Sequence, residues 1–213
     1  TEKKYGADSK ESTHPLFMVC KCQFKVGDYK TADKEFRRLG ALVDKHFAAN
    51  DEFRLEVLLE WIALYVQMED FQGANRIAEG VMKLSEAGQL ATPKALRIYS
   101  TILDLAGRAA ASSRDYDKAV KLTAQAVSTT EKCDGVHPYF GPTDRLPVQE
   151  GRYLREAKRF KEAEATLKLE LKRIGVHNSD GPLYKWALDE YTKVLYETGR
   201  AAEADAVKKA GKL

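Results

Sequence analysis

The six residues from Gly27 to Ala32, G-D-Y-K-T-A, return along the chain as E-D-F-Q-G-A, R-D-Y-D-K-A, K-R-F-K-E-A and, more faintly, G-R-A-A-E-A. Four of these corners place an aromatic three residues before an alanine: Tyr29/Ala32, Phe71/Ala74, Tyr116/Ala119 and Phe160/Ala163, with Ala201/Ala204 as the fifth echo. Positions 29, 71, 116, 160 and 201 are 42, 45, 44 and 41 residues apart. Self-similarity at a nearly fixed period constrains the fold more than any other property of the chain. Each unit is too small to bury its own apolar face and must stack on its neighbours.

The stretches on both sides of each corner have helical periodicity. Thr13 is the expected cap of a first helix opening at His14-Pro15, with Leu16, Cys20 and Phe24 on one face until Gly27 stops it. After the corner, Ala32, Phe36, Leu39 and Val43 repeat the pattern. A second pair is expected from Asp51 to Gln67 and from Asp70 to Glu86, with Leu58, Trp61, Ile62 and Tyr65 facing inward and Gly88 closing it. Thr92-Pro93 opens the third pair, and the glycine- and proline-rich stretch 133–144 reads as the longest loop. The fourth and fifth pairs follow, the last ending in a short alanine-rich helix, Ala201 to Ala210, suited to a terminal cap. The expected organisation is a mobile polar tail over 1–13 and a helical repeat domain over 14–213, with units near 14–49, 50–90, 91–135, 143–176 and 180–213.

A net charge of +3 with 31% charged residues argues against a nucleic-acid binder, which would carry a basic stripe. No run of eighteen apolar residues could span a membrane. Cys20, Cys22 and Cys133 make an odd count, and Cys20 and Cys22 would point about 200° apart on one helix. With no legible disulfide framework, a reducing, cytoplasmic setting is expected. The start at Thr1 leaves a removed leader, and so an exported mature form, or an excised piece as the alternatives. His14, His46, His137 and His177 lack partners at metal-ligand spacing, so neither metal nor cofactor is expected. Cys133 near His137 is too sparse a constellation for a nucleophile, and no phosphate loop or nucleophile elbow occurs.

The turn, aromatic and alanine of GDYKTA, RDYDKA and RFKEA resemble the start of the second helix of the tetratricopeptide repeat, over about residues 14 to 210. That repeat is usually about 34 residues, and the longer period here looks like the kinesin-light-chain type of long repeat. Glu69 and Lys158 depart from the corner glycine. The resemblance implies an all-α, right-handed superhelical solenoid of about five antiparallel helix pairs. It also implies a concave groove lined by the first helices, and no enzymatic activity.

Eight residues before each corner position stand Lys21, Ala63, Arg108, Arg152 and Lys193. In a solenoid of this kind that column would face the groove as a ladder of positive charge, one rung per roughly 20 Å. Arg155 and Tyr196 would extend it. Guanidinium groups pair bidentately with carboxylates and phosphates, so the column points to an acidic partner; the bland reading is a solvated helix face rich in Lys and Arg. The expected function is a non-enzymatic interaction module holding a peptide or partner protein in its groove. The alternative is a structural subunit or assembly factor that uses its convex face or its terminal helices, with Ala204 and Val207 meeting another subunit.

Overall fold

A computed structural model describes residues 6, 8–134 and 145–212. Its described residues form helices and turns with no strand. In chain order the α-helices are α1 (Thr13–Lys25), α2 (Tyr29–His46), α3 (Glu52–Gln67), α4 (Phe71–Glu86), α5 (Pro93–Ser112), α6 (Tyr116–Asp134), α7 (Leu146–Glu156), α8 (Phe160–Asn178), α9 (Pro182–Glu197) and α10 (Ala201–Ala210).

All five corners are built the same way, which explains why the motif repeats. Gly27, Glu69, Arg114, Lys158 and Gly199 adopt left-handed φ angles of 83°, 59°, 61°, 59° and 79°. The N–H of the next residue in each corner, Asp28, Asp70, Asp115, Arg159 or Arg200, donates back to the carbonyl of Gln23, Tyr65, Ala110, Leu154 or Leu195 at 2.8–3.0 Å. This Schellman closure satisfies the carbonyls left over at the end of the first helix. The second helix then starts at Tyr29, Phe71, Tyr116, Phe160 or Ala201. Asp28, Asp70 and Asp115 cap it by accepting from the backbone N–H of Thr31, Gly73 and Lys118. Arg159 and Arg200 stand where the aspartates would, and instead pair with Glu162 and Glu203 in the first turn, at 2.6 and 2.7 Å. The corner alanines Ala32, Ala74, Ala119, Ala163 and Ala204 are all fully buried.

The pairs group into two compact units that part within α5, after Ala109. In the first, Leu16, Phe17, Cys20, Phe36, Leu39 and Leu64 form the core. In the second, Tyr153, Leu154, Leu167, Leu171, Tyr191 and Leu195 do so. Each such side chain contributes about 1.5–3 kcal/mol by leaving water.

Two local expectations change. Thr13 is not the cap of α1: Lys10–Ser12 form a 3-10 turn ahead of it, and the Thr13 hydroxyl donates to the Lys10 carbonyl at 2.7 Å. Ser12 and Thr13 are buried, so residues 10–13 of the expected tail belong to the folded unit. In α3, Ile62 and Tyr65 are buried as expected along with Leu55, Val57 and Leu64, but Leu58 and Trp61 stay half-exposed. Trp61 lies flat against the Gly40 backbone, where a Cβ would come within 2.6 Å of its ring; it stacks on Phe36 and donates its indole N–H to Asp33 at 3.4 Å, so one side of the ring packs on α2 and the rest stays open. Residues 135–144 of the expected long loop, with His137, lie outside the described residues.

Candidate partner-binding surface

The column eight residues before each corner lies on the first helices, and the structure divides its members into engaged and open. On α1, Lys21 is half-buried, pairs with Glu60 of α3 at 3.1 Å and sits 5.2 Å above the Phe17 ring. On α9, Lys193 is held by Asp189 at 2.7 Å and Glu190 at 2.9 Å. The hydrogen bond to Asp189 raises its pKa above the ordinary lysine value, against the opposing effect of partial burial. Arg108 on α5 and Arg152 on α7 are exposed, and among the described residues neither forms an ion pair.

Arg155 does something the sequence did not foretell. Its guanidinium is nearly buried and reaches three carboxylates at once: Glu190 at 3.2 Å, Glu197 at 2.6 Å and Glu156 at 2.6 Å. Burial works against its charge, but the hydrogen bond to Glu197 and the fields of Glu190 and Glu156 outweigh it and raise its pKa. It therefore clamps α7 to α9. Tyr196 stays partly exposed and donates its phenolic hydrogen to Asp205 of α10.

The residues missed from the sequence are the acids. Glu190 is 3% exposed and serves both Arg155 and Lys193. Aligning cations alone hid it, because it stands three positions ahead of the basic column, one helical turn away on the same face. Glu150 on α7 is half-buried beside Glu170, and burial followed by that charge raises its pKa.

Ala204 is buried in the core of its own unit, and Val207 is partly buried against that core. Exposed apolar side chains include Met18 and Val19 on α1, Val26 at its C-cap, and Leu169 and Val176 on α8. Among the described residues no cluster of His, Cys, Asp or Glu could hold a metal ion, and no helix is long and apolar enough to cross a membrane.

No family model matches the sequence, and no curated protein matches it. Solved structures do. A putative kinesin light chain from Podosopora anserina with nearly identical TPR-like repeats superposes with a TM-score of 0.70 at 13% identity, over 93% of this chain and 92% of that one. BtubC from P. vanneervenii gives 0.73 at 13% identity, over 94% and 78%. A Rap protein in complex with Competence and Sporulation Factor gives 0.60 at 13% identity; this chain spans 92% of itself but only about half, 51%, of that chain. At such identities the likeness shows the fold, and the fold is a TPR-like helical repeat.

Proposed function

We propose that the chain is a non-enzymatic interaction module that captures a peptide or partner protein on the first helices of its pairs, and that the captured segment is acidic. The observation that carries this reading is the contrast within the column. Lys21, Lys193 and Arg155 are neutralised by carboxylates of the chain itself, whereas Arg108 in the first unit and Arg152 in the second stand exposed without an ion pair among the described residues. An open guanidinium carries no cost of breaking an internal pair when it meets a ligand carboxylate. The TPR-like fold supports the same reading, and one structural relative, a Rap protein, was solved with a bound factor.

The test is binding to arrayed short peptides graded in Asp and Glu content, with the wild type and with Arg108→Glu/Arg152→Glu. The wild type should retain the acidic peptides, and the double variant should bind them at least about tenfold more weakly, since lost charge-assisted hydrogen bonds are worth about 1.5–3 kcal/mol each. Equal retention by both would overturn the acidic-ligand reading.

A second reading, a structural subunit that docks through a terminal helix, is favoured by one observation: Met18, Val19, Cys22 and Val26 expose a stripe along α1. Seven residues before the corner, Cys22 is exposed while Leu64, Ala109, Tyr153 and Val194 at the same register are buried. In that reading, Val19→Glu rather than the double arginine variant abolishes capture.

A further inference from the structure

Ten residues before each corner position stand Val19, Trp61, Ala106, Glu150 and Tyr191. The two large aromatics at this register are covered to different extents: Trp61 is half-buried, stacked on Phe36 with its indole N–H on Asp33. In the second unit Tyr191 is 1% exposed. Lys168 of α8 lies over its ring at 5.6 Å and is tied down by Glu164 at 2.8 Å, while Arg200 at the start of the last pair's corner helix also grips Glu164. In the first unit, the residue of α2 at the register of Lys168 is Arg37, and it turns to Asp33 through Nε at 2.9 Å. Three residues on, where α8 has Leu171, α2 has Gly40. Opposite, α4 presents Gly80, and a Cβ there would meet nothing within 4 Å. The result is an open cleft of about 490 Å³ between the second helices α2 and α4, floored by Leu58, Trp61, Ile77 and Leu84.

The rim is charged, and not evenly. Arg54 is spent on the structure: it holds Asp44 at 2.7 Å and the Ala49 carbonyl at 2.8 Å. Arg37 uses one nitrogen on Asp33. Arg76 is exposed and, among the described residues, forms no ion pair. Of the three guanidinium groups that line the cleft, Arg54 and Arg37 are each bonded to a carboxylate, Asp44 and Asp33, and Arg76 is left, among the described residues, without one beside an apolar floor that includes an indole. The lining stretches run from Arg37 to Asp44 and from Arg76 to Leu84, roughly 10–12 Å, or two turns of helix.

We propose that this cleft docks a short amphipathic acidic helix of a partner protein, with apolar side chains at i, i+3 or i+4 and i+7 seated over Trp61 and a flanking Asp or Glu meeting Arg76 and Arg37. Charge complementarity selects the acidic sign, and the length and openness of the cleft select a helical segment of about two turns. The site lies within the first unit, between α2 and α4 over the α3 residues Arg54, Leu58 and Trp61, and includes neither Arg108 nor Arg152.

The experiment is amide and indole N–H NMR mapping of the chain, titrated with two synthetic helical peptides that share leucines at i, i+3, i+4 and i+7. One peptide is filled out with Glu and the other with Lys. Because the chain has only two tryptophans, Trp186→Phe identifies the Trp61 indole signal. The acidic peptide should shift that signal and the amides of Gly40 and Gly80 saturably. Gly80→Leu places a side chain in the open cleft and improves helix propensity. It should weaken binding at least about tenfold (near 1.4 kcal/mol) without lowering the Tm, as should Arg76→Glu. Arg108→Glu/Arg152→Glu should leave the titration unchanged. The proposal is overturned if Trp61 does not shift, if the Lys peptide binds as well, if Gly80→Leu has no effect, or if the double arginine variant abolishes the shifts.

Discussion

Lys158 holds a φ of 59° where Gly27 and Gly199 hold the same turn with no Cβ to strain. A left-handed residue with a side chain costs about 1–2 kcal/mol, and glycine escapes that cost. Lys158→Gly should therefore raise the unfolding free energy by about 1 kcal/mol in urea denaturation, and Gly199→Ala should lower it by a similar amount. Glu150 gives a prediction with a pH signature. Burial, then Glu170, raises its pKa, so the folded state keeps a proton that the unfolded chain has already released. The ionised carboxyl thus destabilises the fold at neutral pH. That penalty fades as pH falls through the raised folded value toward the ordinary glutamate value near 4.3. Glu150→Gln should raise the Tm at pH 7, with the gain shrinking steadily as the pH is lowered toward 4 in parallel thermal melts.

At the scale of the element, the corner alanines decide how closely helices approach. Ala163, fully buried, shares a core with Leu154, Leu167 and Val194. Ala163→Leu should cost about 1–3 kcal/mol by overpacking, while the exposed neighbour Lys161→Leu should leave the Tm nearly unchanged; calorimetry of the two variants checks the register. Helix boundaries were legible to within a residue at most corners, because the Schellman turn and the aspartate cap are local and carry their own residues. The start of α1 was not. Its 3-10 turn rests on Ser12 and Thr13 hydroxyls donating backward to the Ser9 and Lys10 carbonyls, where Thr13 alone reads in sequence as a cap. The half-exposure of Trp61 was equally hidden, since it follows from how the ring packs on Gly40 and Phe36 of a different helix.

For the whole molecule, the fold class could be read from the repeat, whereas the proposed partner surface depends on which cations stand open. Counting back from the corner located the basic column on the first helices, but which cations are open depends on acids from other helices. Glu60 takes Lys21, and Glu190 and Glu197 of α9 take Arg155 of α7 across 35 and 42 residues of sequence. Such pairings follow from tertiary packing and leave no trace in a single register.

Partners are proposed to be held through the two open arginines of the first helices. The most direct measurement is affinity capture from the native source with three baits of equal helicity: the wild type, Arg108→Glu/Arg152→Glu, and Lys193→Glu. Partners should be shared by the wild type and Lys193→Glu and lost from the double variant. Identical partners on all three baits would contradict the proposal and turn attention to the exposed stripe of α1.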